Sequence, residues 1–340
     1  CVNLRNKNYC FFNEQLSKEE YEKKIKLLNL FSRNSINQIN IKFWEFVKSQ
    51  PVRASTHRKS ENVSGINIEN SKNCHDSVYI VKSEHMSHCD QIISGKDSMD
   101  ITASSSFEKL YQVVGVESQC SNVKFSFASK FITDSEFLIN CRNCSNCFAC
   151  IGLENKNYYI FNTSYDPVEY FKELDRIKSI LMEKGEYGEF FEFSFSTFAY
   201  NGSQADISFP LNKEEIIKLD ALWQPDLEID TKDMEILATL EIPDNIDETD
   251  SSILTKALIC EETNRPFRII NSELEFYKNY KIPLPTVHPY KRMRNRFNFV
   301  GNFRINNSKC DLCQKEIKTM YLPNNDWHLY CDECYKKEIY

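Results

Sequence analysis

Four cysteines near the end of the chain, Cys310, Cys313, Cys331 and Cys334, form two Cys-x2-Cys pairs separated by seventeen residues. A two-residue gap lets one tight backbone knuckle aim two thiolates at a single ion. Two knuckles joined by a hairpin complete the tetrahedral shell that zinc prefers. With all four positions filled by protein, the expected cofactor is one structural Zn2+ rather than a catalytic one. Two disulfides, or iron, are the competing readings of this spacing. Tyr321, Leu322 and Pro323 fall in the hairpin between the knuckles, and Trp327 and Tyr330 are expected to pack over the metal shell. Lys309, Lys315, Lys318, Lys336 and Lys337 would offset the negative charge of four thiolates. His328 is a replacement ligand by position, although a surface or hydrogen-bonding histidine is the simpler reading.

A related unit precedes this one. Cys260-Glu-Glu-Thr263-Asn-Arg-Pro-Phe-Arg268 can be laid over Cys310-Asp-Leu-Cys313-Gln-Lys-Glu-Ile-Lys318, with Thr263 where a ligand should stand and His288 as the sole second-knuckle candidate. Two ligands hold zinc poorly, so this first unit is expected to fold by packing, without metal.

Three further groups bear on chemistry. Cys141, Cys144, Cys147 and Cys150 form a three-residue ladder that superficially matches an iron-sulfur run, but its last gap is two residues and no proline follows. Buried structural thiols, a zinc site and an iron-sulfur cluster are the three readings. Lys291, Arg292, Arg294, Arg296 and Arg304 interleave with Tyr290, Phe297, Phe299 and Phe303. Arginine forks and rings suit single-stranded nucleic acid, RNA above all, yet the same pattern fits a surface that docks on protein or the core of a small unit. Asp97, Asp100, Asp134 and Glu136 supply carboxylates that a polysaccharide-cleaving β-helix would need, and they are also ordinary turn residues. Dinucleotide, P-loop, nucleophile-elbow and zincin motifs are absent from the sequence.

The bulk properties narrow the class. The chain has 340 residues, 14 Cys and only 8 Gly. Cysteines in three-residue registers are poorly placed to bridge one another, which favours thiols and metal ligands in a reducing cytoplasm over a secreted disulfide framework. No apolar run reaches the length of a membrane span, and residues 1 to 30 lack a signal-peptide pattern. Net charge is −7, unevenly spread. Residues 213 to 262 carry 4 basic and 15 acidic side chains, whereas 263 to 340 carry 14 and 8. The basic stretch at 278 to 318 suits a polyanionic partner or, equally, the acidic segment before it.

The elements that must position these residues begin with a duplication. Residues 1 to 24 match 150 to 173 at a constant offset of 149, including Cys1/Cys150, Leu4/Leu153, Asn13/Asn162 and Tyr21/Tyr170. Each copy reads as a short strand entering a helix. Ser17 with Glu20 forms a capping box in the first, and Asp166 with Pro167 starts the second, which Gly185 stops. Another helix, about 36 to 49, ends before Pro51. Between the copies, short β-prone pieces are divided by Ser, Asn, Asp and Cys, as in Ile66-Asn-Ile-Glu-Asn-Ser-Lys-Asn-Cys74. That is how a parallel β-helix is written; a β-sandwich would show steadier alternation and more hairpin turns. Alternating Phe191, Phe193 and Phe195 read as a strand covering a core, and the acidic stretch with Pro243 as a linker.

These pieces, with Gly188-Glu-Phe-Phe191, Phe198-Ala-Tyr-Asn201, Ile242-Pro-Asp-Asn-Ile246, Arg265-Pro-Phe-Arg-Ile269, Pro283-Leu-Pro285 and Tyr330-Cys-Asp-Glu-Cys-Tyr335, resemble an uncharacterised β-solenoid plus zinc-ribbon family of ultra-small, candidate-phyla bacteria. The resemblance spans almost the whole chain and implies the fold without an activity. Its members typically have Gly where this chain has Gln314, and more solenoid cysteines, which makes individual ladder thiols dispensable. Since Cys1 aligns with Cys150, whose ladder lies upstream, the intact protein is expected to extend before residue 1.

The resulting expectation is a mainly β fold, a right-handed parallel β-helix (solenoid) with capping α-helices and a C-terminal zinc ribbon. Residues 1–16 end a solenoid coil, 17–50 are helical, 51–165 are the solenoid, 166–225 a capping helix and aromatic strand region, 226–258 an acidic linker, and 259–340 a tandem zinc-ribbon-like module. The function expected is that of a non-enzymatic, cytoplasmic zinc-binding interaction protein. Its basic tail would engage RNA, a ribonucleoprotein or a protein partner, with no small-molecule substrate. A carbohydrate-active β-helix enzyme and an iron-sulfur redox protein are the alternatives.

Overall fold

The computed structural model describes residues 1–225, 229–301, 303–322 and 326–340, with the side chains at 240 and 298–300 outside the described set. Its helices are α1 (Lys18–Leu27), α2 (Arg33–Lys48), α3 (Pro167–Glu183), α4 (Gln204–Ser208), α5 (Lys213–Lys218), α6 (Asn271–Tyr280), α7 (Pro289–Val300) and α8 (Asp332–Ile339). Two compact units result. One comprises Arg53–Trp223 with Asn302–Pro323, and the other Cys1–Val52, Gln224–Gly301 and Asn324–Tyr340.

The first unit is built on a β-solenoid of about nine turns. Ten strands from His57–Arg58 to Thr163–Ser164 stack into one sheet in chain order, parallel until the final hairpin. Partners in neighbouring coils lie twelve residues apart, so that Ile132 faces Cys144 and Leu138 faces Cys150.

The coil has a three-residue rule. Asn67, Asn70, Asn73, Asp76 and Tyr79 all have φ near +50°, and the same left-handed backbone recurs through Asn140, Asn143 and Asn146. Each such residue bends the chain, and the residue after it points inward: Ile68, Ser71, Cys74, Ser77 and Ile80 are all buried. Four corners close one coil of twelve. Asn and Asp tolerate the left-handed region better than other side chains with a Cβ, which explains why they crowd these positions in a chain so poor in glycine. Gly65 is a different case: a Cβ there would stand 2.0 Å from the carbonyl oxygen of Ser77 in the next coil.

Corners interrupt the ladder between coils, and small inward side chains repair it. The Ser77 hydroxyl donates to the His75 carbonyl at 2.7 Å and accepts from the Cys89 amide at 3.1 Å. Ser71 does the same between Glu69 and Ser83, at 2.8 and 3.1 Å. An inward hydroxyl thus satisfies a buried N–H that the corner would otherwise orphan.

Residues 157–164 and α3 close the far end of the solenoid. The Asp166 side chain caps α3 and Pro167 occupies its first turn, as the sequence predicts. Phe148, Ile160 and Tyr170 form a buried cluster there with Leu174, Ile177 and Leu181 around it. One expectation is overturned beyond α3: Phe193–Phe195 is a turn of 3-10 helix, with Ser196 donating back to Phe193 at 3.0 Å, and not a strand. Phe193, Phe195 and Phe198 are more than half exposed and therefore are not a core stripe. Instead, Phe191 and Phe195 line apolar clefts of about 380 and 430 Å3 with outward side chains of the coils, among them Ile139. Alternation alone misled because, among the described residues, no strand pairs with this segment.

In the other unit, α1 starts as predicted, with Ser17 and Glu20 forming the capping box, while α2 starts three residues earlier than expected, capped by Ser32, and ends before Pro51 as expected. The acidic segment is not a linker where it is described. Glu235–Leu237 pairs in parallel with Lys256–Ile259, and Ile242, Ile246 and Ile253 are buried against Leu258, Phe267, Leu274 and Leu284. Its acids lie outside while its isoleucines turn in, so charge density concealed a core pattern. Arg33, at the start of α2, donates to the carbonyls of Ile242, Pro243 and Leu284 at 3.2, 2.7 and 3.3 Å.

Candidate metal centre

Each knuckle is shaped by local backbone chemistry. The strand Asn306–Lys309 pairs antiparallel with Glu316–Thr319 and delivers Cys310 to a tight turn. Within it, the Cys310 amide donates to the Lys315 carbonyl at 2.9 Å, and the Gln314 amide donates to the Cys310 carbonyl at 2.8 Å. Gln314 has φ 61°, the left-handed position that glycine adopts without strain. The second knuckle is a helix start: Cys331 is the N-cap of α8, and its sulfur accepts from the Cys334 amide at 3.5 Å.

The four sulfurs lie within 4.8 Å of one another. A tetrahedral zinc with bonds of about 2.3 Å separates its sulfurs by roughly 3.8 Å, which that cluster accommodates. Cys310, Cys331 and Cys334 are buried and Cys313 is exposed. The donor set thus fits one metal ion. Among the described residues no other group of three or more Cys, His, Asp or Glu side chains converges in this way, and His328 is not part of the cluster. Of the neighbouring lysines, Lys318 pairs with Asp76 and Lys336 with Asp332. Trp327 packs edge-on against Trp44, with ring centroids 6.4 Å apart. Pro323 lies outside the described residues.

The knuckle fold recurs fifty residues earlier without the ligands. The Cys260 amide donates to the Arg265 carbonyl at 3.0 Å, the Asn264 amide donates to the Cys260 carbonyl at 2.9 Å, and Asn264 has φ 55°. Thr263 replaces the second thiol. Cys260 is fully buried within the apolar cluster of Ile242, Phe267 and Leu284.

The ladder cysteines occupy the four inward corners of a single coil, and all are at most 2% exposed. Each thiol donates to the carbonyl two residues before it: Cys141 to Ile139, Cys144 to Arg142, Cys147 to Ser145 and Cys150 to Phe148, at 3.2 to 3.5 Å. They make the carbonyl contact that inward serines make elsewhere in the solenoid, and Cys150 also accepts from the Asn162 amide at 3.5 Å. Burial pushes the Cys141 thiol up, and Cys147 is raised by its contact with the Cys150 thiol and by burial. Cys150 is lowered by its hydrogen bond with the Cys147 thiol, and the four ladder sulfurs are not among the groups of described residues that converge closely enough to share one metal ion.

The predicted basic residues divide. Lys291, Arg292, Arg294 and Arg296 share α7, while Arg304 precedes the strand Asn306–Lys309. Lys291 pairs with Glu262 at 3.3 Å, and Arg292 reaches Glu273 at 3.1 Å and the Tyr277 hydroxyl at 2.9 Å. Arg294 lies over the Tyr290 ring and Arg304 over the Phe209 ring. Arg296 is exposed, and the Phe299 side chain is outside the described set.

Three of the four predicted carboxylates are likewise engaged, while Asp100 is a left-handed corner of the solenoid with φ 58°. Asp97 accepts from His85 at 2.8 Å and Asp134 from Asn122 at 2.7 Å, each linking adjacent coils. Glu136 is 8% exposed and accepts from Lys124, Lys178 and the Tyr187 hydroxyl. That buried cluster was not legible in the sequence, where Lys178 and Tyr187 lie more than forty residues from Glu136. No helix among the described residues is long and apolar enough to cross a membrane.

Compared with protein-family models, curated proteins and solved structures, the chain has no significant match to any of them.

Proposed function

We propose that this chain is a non-enzymatic interaction protein in which one zinc ion staples the two C-terminal knuckles and a protein is the partner. The observation that carries the reading is the four-sulfur cluster, whose coordination sites are all supplied by the chain, so that the metal holds structure and leaves no open position for a substrate. A protein partner is favoured over RNA because the cations expected to grip phosphates have internal partners: Lys291 on Glu262, Arg292 on Glu273 and Tyr277, Arg294 on Tyr290. Exposed rings at Phe193, Phe195 and Phe198 supply apolar surface of the kind a protein would cover.

Titration of labelled single-stranded RNA at low and moderate salt tests this choice. The expected result is no tight binding that weakens steeply with salt and none that depends on Arg292, Arg294 and Arg296. Affinity falling steeply with salt, and lost in the triple alanine variant, would instead assign the basic stretch to RNA.

A further inference from the structure

Val114, Phe127, Ile139 and Ile151 stand in register in four consecutive coils. Each follows a fully buried inward residue, Val113, Ser126, Leu138 or Cys150, and so faces away from the solenoid interior. A neighbouring column of the same coils is polar there, with Thr133 paired to Ser145. Water favours the polar choice on the outside of a stack, so an apolar column of this length is surface that other groups must cover.

Residues 190–198 cover it only in part. Phe191 packs edge-on against Phe137 with ring centroids 6.0 Å apart, and Phe195 lies 6.0 Å from Phe191. These two rings and Ile139 are shared by both clefts described above. The cleft of about 380 Å3 continues over Ile151 and Phe161, and the one of about 430 Å3 over Phe127 and Phe198. Phe161, Phe195 and Phe198 remain more than half exposed. Each cleft has room for an aromatic or branched aliphatic side chain.

Charge selects the occupant. Residues 183–192 carry Glu183, Glu186, Glu189 and Glu192 against Lys184 alone. All four glutamates are exposed, and among the described residues none has an ion-pair partner. Glu186 lines the first cleft and Glu192 the second, and no described Lys or Arg lines either. A second copy presenting the same face would set glutamates against glutamates. An anionic lipid surface or a fatty acid would likewise bring negative charge to negative charge. A basic partner gains where these lose.

We propose, resting on the protein-partner reading above, that this face binds one short segment of that partner, carrying two bulky apolar side chains beside Lys or Arg. The apolar side chains enter the clefts on either side of Phe191 and Phe195, and the cations meet Glu186 and Glu192.

A phage library displaying random dodecapeptides, selected on the full chain, supplies the probe. Selected peptides are expected to carry at least two bulky apolar residues and a net positive charge. Their affinity should fall roughly tenfold or more in the Phe195→Ser and Phe198→Ser double variant. In the Glu186→Lys and Glu192→Lys double variant it should fall about three- to tenfold, with the difference shrinking as salt rises. All four positions are exposed, so both variants should keep the parent's unfolding transition; should one fail to fold, the other decides. Acidic peptides, or peptides that bind a folded variant as tightly as the parent, would overturn this site while leaving the protein-partner reading in place. That reading fails separately, on the RNA titration. Selection of no peptide would also overturn the site. So would binding to phosphatidylglycerol vesicles, or a dimer of the parent chain, that the Phe195→Ser and Phe198→Ser variant loses, since these assign the face to lipid or to a second copy.

Discussion

Lys178 on α3 donates to Glu136 in the solenoid at 3.0 Å, and Glu136 is only 8% exposed. The same carboxylate takes bonds from Lys124 at 3.2 Å and from the Tyr187 hydroxyl at 2.9 Å. Burial and the adjacent carboxylate push the Tyr187 hydroxyl well above the usual phenol range, so it stays a donor. Removing the carboxylate strands two cations and a phenol. Glu136→Ala is expected to cost about 2 to 4 kcal/mol in urea unfolding, and Tyr187→Phe about 1. A Glu136→Ala chain as stable as the parent would show that this junction contributes nothing.

The ladder thiols invite a conservative exchange. Since they donate to carbonyls as inward serines do, Cys144→Ser should change stability by less than about 1 kcal/mol, whereas Cys144→Leu should cost roughly 1 to 3 by overpacking the coil. Thermal unfolding of the two variants checks the contrast. Native-state labelling should also leave all four ladder thiols unreacted until the solenoid opens.

Gln314 carries a side chain in a left-handed turn beside the first knuckle. Gln314→Gly is expected to stabilise the chain by about 0.5 to 1 kcal/mol and to slow transfer of zinc to a chelator. Faster zinc loss in the glycine chain would contradict the strain argument.

Asp76 accepts from Lys318, which holds its carboxyl below the usual carboxylate range. A lowered folded-state value means that the contribution is fully present above about pH 4 and disappears as acid carries the pH down through the folded value. Both side chains are more than one third exposed, so the gain is small, about 0.5 kcal/mol. Asp76→Asn should lower stability by that amount at pH 7 and coincide with the parent near pH 2, read from urea midpoints across the pH series.

Much of this was visible in the residues themselves. Ser17 with Glu20 and Asp166 with Pro167 marked helix starts because caps act locally, and two Cys-x2-Cys pairs marked a cluster because a knuckle needs no distant partner. The polar punctuation at Ile66 to Cys74 gave the solenoid class. Its three-residue rule was harder to read, since Ser, Cys, Ile and Gly all serve inward and Tyr79 or Lys82 takes a corner as readily as Asn. Glu136 found Lys178 and Tyr187 through stacking that no local pattern encodes. Ile242, Ile246 and Ile253 were hidden among acids, and Phe193 to Phe195 alternated without a strand to join.

The central claim is that Cys310, Cys313, Cys331 and Cys334 together hold one structural zinc. Elemental analysis of the purified chain, the Cys331→Ser and Cys334→Ser double variant, and a variant with all four ladder cysteines changed to serine tests it most directly. The account predicts about one zinc per chain in the parent and in the ladder variant, with loss in the double variant accompanied by unfolding of the C-terminal knuckles. Zinc retained after removal of Cys331 and Cys334, or iron with acid-labile sulfide that vanishes with the ladder, would contradict it.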